Sequence, residues 1–310
     1  MAKTKLLITF LIAGFLTANC QETETTATKV FSDDMKKLVA LNSSLPDVVN
    51  LAHKEAVNIM TNATARQMIE ITGPYLNSTI LNAKTLCLDL LNTALFKKAV
   101  TQMEKQEIVE ILCKNWLSDD RDIQSVDNSL LRLSEKDFNP TAKKYLTALI
   151  LHPKFSYALS GKLLAVAQIK TSIPTLWKVV NRDIATMTHS DVDILASLAR
   201  MNEKGAGKIL CEYYNSTKNR TDYRYIFIST NLAFSMDSSV LDCMIKDFKT
   251  IDIEKSFRDG DYGYYPAGHL GANIVAMLKN YPFPKQEFYV DTKQLLNWLN
   301  QTTRFELEQK

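Results

Sequence analysis

The chain has 310 residues and a formal net charge of +3, with 46% hydrophobic and 23% charged residues. That balance is ordinary for a folded globular protein, and it excludes the clustered excess of Lys and Arg that a nucleic-acid binder needs. With only 9 Gly and 8 Pro, the composition favours helices joined by short turns over a β-rich chain.

In chain order, Lys3 and Lys5 precede an apolar run from Leu6 to Leu16. A bilayer-spanning helix takes about twenty apolar residues, so this run is too short to span. Charged start, short apolar segment and small-residue boundary together predict a secretory signal peptide over 1–19. Cys20 follows, and then Gln21 to Lys29, rich in Thr and Glu, the composition of a solvated tether. The stretch Leu16-Thr17-Ala18-Asn19-Cys20 resembles the lipidated-cysteine signal of bacterial lipoproteins. That resemblance implies a lipid on Cys20, a tether over 20–32, and a membrane-anchored protein of the periplasm or outer membrane. An ordinary cleavage site at Ala18-Asn19-Cys20, giving a soluble secreted protein, is the alternative.

Residues 33–310 read as an all-α domain. Ile108, Ile111, Leu112 and Trp116 recur at helical spacing and mark one buried stripe. "AKTLCLDLLNTALF" from Ala83 is apolar nearly all round, which predicts an inner helix covered on several sides. Asn139-Pro140 supplies an N-cap and a first-turn proline for the helix that follows. Ser190 with Asp193, and Asp291 with Gln294, predict capped helix starts, with Val290 and Leu295 placed as a hydrophobic staple. "YRYIFIST" over 223–230 reads equally well as a strand, being aromatic and β-branched.

Cys87, Cys113, Cys211 and Cys243 each sit among apolar residues without CxxC spacing. They read as small buried hydrophobes with free thiols. Helix pairs recur from Leu163, Ile194 and Ile228, each an apolar helix, a polar turn and an amphipathic helix. Such a unit buries its apolar face only by stacking on its neighbours. The pattern resembles the HEAT/armadillo-like α-α superhelix family, clearly over 140–250 and more loosely over 46–135. The resemblance implies a single elongated solenoid with stacked units near 163–180, 194–214 and 228–248. Cys211 and Cys243 would then lie on neighbouring helices with axes about 8–10 Å apart, too far for a bridge.

Catalytic patterns are sparse. His53, His152, His189 and His269 are scattered, with no paired-histidine metal spacing. "EKGAGKIL" around Gly205 and Gly207 lacks phosphate-loop spacing and reads as a helix start. Asp119-Asp120-Arg121-Asp122 reads as a solvated turn. The outlier is 254–273, which holds Gly260, Gly263, Gly268 and Gly271 beside Asp259, Asp261, Tyr262, Tyr264, Tyr265 and His269. Irregular segments of this kind are frequent binding loops, and tyrosines offer contact area with a polar tip. Two carboxylates fall well short of a calcium site. A rigid loop covering the last helices is the plainer reading, with His269 starting or capping the helix that follows. The chain therefore reads as an exported binding or scaffold protein for an envelope protein or ligand, with no metal or cofactor and no nucleic acid. An envelope hydrolase using Asp259, Asp261 and His269 is the alternative.

Overall fold

The computed structural model describes residues 26–44, 49–116, 129–149, 157–217, 224–259, 262–285 and 290–308, without the side chains of 116, 149, 157, 224, 257–259 and 262–264. The signal segment, Cys20 and the charge run at 119–122 lie outside them. Among the described residues the fold is all-α apart from one short ribbon, and the chain divides into two compact units, Met1–Leu130 and Leu131–Lys310.

In the first unit, α1 covers 26–42, followed by α2 (Lys54–Asn62), α3 (Ala65–Thr72), α4 (Ala83–Ala94) and α5 (Gln102–Trp116). The helix predicted to be inner is α4. It packs against α2, α3 and α5, and Leu86, Cys87, Leu90, Leu91 and Ala94 are all fully buried. The α5 stripe buries Ile108 and Leu112. Thr64 starts α3 by a capping box: its hydroxyl accepts from Gln67 N, and the Gln67 amide oxygen accepts from Thr64 N at 2.9 Å.

The second unit holds α6 (Pro140–Leu149), α7 (Tyr157–Val166), α8 (Ile173–Val179), α9 (His189–Arg200), α10 (Ala206–Ser216), α11 (Arg224–Ser235) and α12 (Ser238–Phe248). A ribbon of β1 (Phe257–Asp259) and β2 (Tyr262–Tyr264) leads to α13 (Pro266–Met277) and α14 (Thr292–Gln301). Helices α7, α9, α11 and α13 stack in succession as one layer. A second layer contains α10 and α12, which pack on each other and back onto the first. The helix pairs recurring from Ile194 and Ile228 stack in both layers, whereas the pair from Leu163 joins the stack through α7 and the contact of α8 with α9. "YRYIFIST" falls on α11 from Arg224 onward, because its apolar residues complete the stack: Tyr225 and Ile228 are buried, as is Leu232 one turn further on. Tertiary burial overrides the strand preference of its β-branched residues.

Caps follow the sequence with one correction. Asn139 Oδ1 accepts from Ala142 N at 2.8 Å, and Asp291 Oδ1 accepts from Gln294 N at 3.0 Å. The cap of α9 is Thr188 with Asp191, two residues before the predicted Ser190 and Asp193. The carboxylate of Asp191 earns that place by three bonds. It accepts from Thr188 N (2.9 Å) and Thr188 Oγ1 (2.6 Å), and from Asn181 N (2.8 Å) in the preceding turn. Burial pushes its pKa up, but the bonds from Thr188 and Asn181 outweigh burial and hold it below the ordinary aspartate value. Asp193, part-buried, pairs instead with Lys162 at 2.6 Å.

The stack carries a 34-residue beat. Gln168, Asn202 and Met236 each follow the end of a first-layer helix and each takes the left-handed conformation, at φ 53, 63 and 50°. Side chains resist that region, so its recurrence marks a repeated turn. At the first two, the chain closes a Schellman motif: Ile169 N donates to Leu164 O (2.9 Å) and Glu203 N to Leu198 O (3.0 Å).

Candidate functional site

The same helix ends carry a ladder of side-chain donors. Gln168 Nε2 donates to Ala165 O (2.9 Å) and to Arg200 O (3.1 Å). Arg200 Nη1 then donates to Phe234 O at 2.8 Å, one unit further along. The bonds to Arg200 O and Phe234 O supply donors at helix C-termini, where backbone partners run out, and a cation there also suits the negative end of the helix dipole. The Arg200 guanidinium lies 4.7 Å from the Phe234 ring centroid. It is 9% exposed, and burial lowers its pKa to about 10. Among the described residues no carboxylate pairs with it.

The end of the chain meets this layer as a strap. Lys279 N donates to Glu306 O and Glu308 N to Met277 O, both at 2.7 Å, forming an antiparallel bridge between Leu278 and Leu307. Asn280 reinforces it from its side chain, donating to Arg304 O (3.1 Å) and accepting from Glu306 N (3.1 Å). Met277 O is the last carbonyl of α13, so the strap closes the fourth helix end as side chains close the earlier ones. In such a pairing alternate residues turn their backbone groups to the other edge. Those residues are Phe305 and Leu307.

Helix ends and strap enclose a groove of about 600 Å³, within the range of ligand pockets. Gln168, Arg200, Asn202 and Met236 line one side, and Lys279 with Arg304 to Glu308 line the other. Of its carboxylates, Glu135 is held by Lys143 (2.9 Å) and Glu308 by Lys285 (2.7 Å). The lining itself holds three cations (Arg200, Lys279, Arg304) and three carboxylates (Glu135, Glu306, Glu308), two of the carboxylates being paired with lysines outside it. The groove is a polar cleft in which Arg200, Lys279 and Arg304 stand beside backbone groups along one edge.

The site residues proposed from sequence stand elsewhere. The ribbon pairs Phe257 with Tyr264, Arg258 with Gly263 and Asp259 with Tyr262. Asp261 is outside the described residues, and so are the side chains of Asp259, Tyr262 and Tyr264. Tyr265 serves as an anchor. Its hydroxyl meets Ile253 O and lies 2.9 Å from Thr292 Oγ1, tying the ribbon's exit to the first turn of α14. Gly268 makes room for that ring, since a Cβ there would lie 2.4 Å from Tyr265 Cδ1. His269 sits in the first turn of α13, its N–H bonded to Tyr265 O at 3.2 Å; partial burial lowers its pKa.

Sequence reasoning passed over the groove. Its signal was the 34-residue spacing of Gln168, Asn202 and Met236, which lack any shared residue type. Among the described residues no three His, Cys, Asp or Glu side chains gather as a metal site, and no helix is long and apolar enough to cross a membrane. Compared with known proteins, the chain matches no family model, no curated protein and no solved structure.

Proposed function

We propose that the protein is an exported helical-repeat binding protein of the HEAT-like type, anchored to a bacterial envelope membrane through a lipid on Cys20, and that its groove takes an extended acidic peptide segment of a partner protein. The observation that carries the binding reading is the strap edge at Phe305 and Leu307 beside the buried Arg200. An extended peptide gains affinity by pairing its backbone with an open strand edge, while fixed cations select carboxylate side chains. The 34-residue beat supports a repeat solenoid, and is shorter than the roughly 40–47 residues of most HEAT units.

The groove is tested with the full chain and a fluorescently labelled, Glu-rich extended peptide. Lys279 and Arg304 are exposed, so reversing both to Glu should leave folding intact. The reversal should weaken capture at least ~10-fold, a loss of about 1.4 kcal/mol, and wild-type binding should fall with added salt. Equal binding of a Lys-rich peptide would discard the reading.

The anchor is tested separately. Two acyl chains give stable attachment where one gives marginal binding, so Cys20→Ser should move the protein from the membrane fraction to the soluble one. A wild-type protein already soluble and beginning at Gln21 would establish the ordinary cleavage site. The hydrolase alternative requires Asp259, Asp261 and His269 to converge on a substrate, and loss of a hydrolytic activity in His269→Ala would favour it.

A further inference from the structure

Helix-axis spacing alone would hold the two second-layer thiols beyond bridging range, but a close approach at Gly207 brings the Cys211 S–H within hydrogen-bond reach of the Cys243 sulfur, which revises that expectation. Cys211 lies on α10 and Cys243 on α12, which pack side by side. Gly207, one turn before Cys211, allows that approach: a Cβ there would fall 2.7 Å from Asp237 Oδ1, the carboxylate that caps α12. Neither cysteine is bridged, and both are only partly buried, unlike the enclosed Cys87 and Cys113. The expectation of small buried hydrophobes therefore holds for two of the four.

Around the pair the polar groups are unequal. The Cys211 S–H has two acceptors within reach, Ser239 O at 3.6 Å and the Cys243 sulfur. Cys243 Sγ accepts from Asn215 Nδ2 at 3.7 Å, one helical turn along from Cys211. Lys246 adds positive charge near Cys243 and Asp247 opposes it, whereas Cys211 faces Asp237 and Asp242. Donors thus converge on Cys243, and carboxylates surround Cys211.

We infer that Cys211 and Cys243 form a reversible dithiol–disulfide site, oxidised by thiol–disulfide exchange with a low-molecular-weight disulfide, in which Cys243 attacks and Cys211 resolves. The Cys243 thiolate attacks one sulfur of the small disulfide, breaking its S–S bond and releasing one small thiolate. Cys211 gives its proton to that leaving thiolate. The Cys211 sulfur then attacks Cys243, forming the protein S–S bond and expelling the second small thiolate, which takes up the proton that Cys243 lost on ionising. Two protein thiols are oxidised, one disulfide is reduced to two thiols, and no other reactant enters. The direction of the pKa shifts agrees. The bond from Cys211 lowers that of Cys243, while the bond to Cys243 raises that of Cys211. A nucleophilic thiol beside a resolving one is the usual architecture of an oxidisable pair. Cys87 and Cys113 provide an internal control, since burial pushes both thiols up to about 12.

The test uses the reduced full chain and oxidised glutathione. Wild type should lose the mass of two hydrogens, and peptide mapping should join Cys211 to Cys243, reversibly with dithiothreitol. Cys211→Ser should instead retain one glutathione on Cys243. Cys243→Ser should react at least ~10-fold more slowly at Cys211. Wild type that holds a stable glutathione on Cys243 without forming the bridge would overturn the inference. So would equal reaction rates in the two single variants. The wild-type mapping needs no variant, so a substitution that disturbs folding leaves the proposal open to refutation.

Discussion

Phe248→Ala should lower the unfolding free energy of the Leu131–Lys310 unit by about 3–5 kcal/mol, the cost of emptying a buried aromatic site. Phe248 is the largest fully buried side chain described and sits at the last turn of α12, which packs on both α11 and α13. The site cannot close over the gap. A Cβ on Gly271 of α13 would already meet Phe248 Cε2 at 3.1 Å, Leu295 Cδ2 at 3.1 Å and Val290 Cγ1 at 2.8 Å. The pocket is therefore walled by a backbone at close approach on one side and by the staple residues of α14 on the other. Urea unfolding followed by the fluorescence of Trp177 and Trp298, both in this unit, measures the loss. Phe248→Leu should cost less, about 1–1.5 kcal/mol. A loss below about 1 kcal/mol for the alanine variant would mean that α12 does not join the two layers in this way.

Asp247→Ala is expected to cost about 2–4 kcal/mol by breaking a hydrogen-bond cluster beside that aromatic site. Tyr214 OH donates to Asp247 Oδ2 at 2.6 Å and Tyr225 OH donates to the same oxygen at 3.0 Å, with 2.9 Å between the two hydroxyls. Both rings are 3% exposed. Without the carboxylate the two phenols can satisfy each other only once, and one buried hydroxyl proton loses its acceptor. The cluster also predicts an alkaline limit. Burial first, then Tyr225 and Asp247, raise the Tyr214 pKa far above the ordinary tyrosine value. A group whose folded pKa is raised contributes stability below its unfolded pKa, near 10, and that contribution disappears as pH climbs further. Wild-type stability should therefore decline above pH 10, and Tyr214→Phe should flatten the decline. An unchanged alkaline slope in Tyr214→Phe would sink this account.

How far the sequence could be read depended on the range of each signal. Local signals were legible: the all-round apolar α4, the caps at Asn139 and Asp291, and the recurring helix pairs. They were legible because periodicity and capping are decided within a few residues. The cap of α9 was misplaced because two polar residues follow Thr188 in succession. Thr188 and Asp191 form a capping box of their own, to which the bond from Asn181, ten residues away, adds a contact that no local pattern contains. The tyrosine loop attracted attention by composition, yet Tyr265 is occupied in holding Ile253 and Thr292. The groove left no compositional trace because its parts come from helix ends spread from Gln168 to Lys279 and from a strap at Arg304 to Glu308. The part-buried setting of Cys211 and Cys243 is hidden for a similar reason: "KILCEYY" and "LDCMI" look alike whether the cysteine faces the core or the crevice between two helices.

The ladder at the helix ends limits how such a chain can change length. Gln168 reaches across to the Arg200 carbonyl and Arg200 to that of Phe234, so each module is stitched to the next at one fixed phase. Insertion or loss of a few residues inside a helix would rotate the donor away from its acceptor and unstitch the row. Duplication of a whole 34-residue module would preserve the phase and add a rung. At the far end Glu308 N occupies Met277 O, so the strap acts as a terminator, and growth by duplication is open only upstream of it.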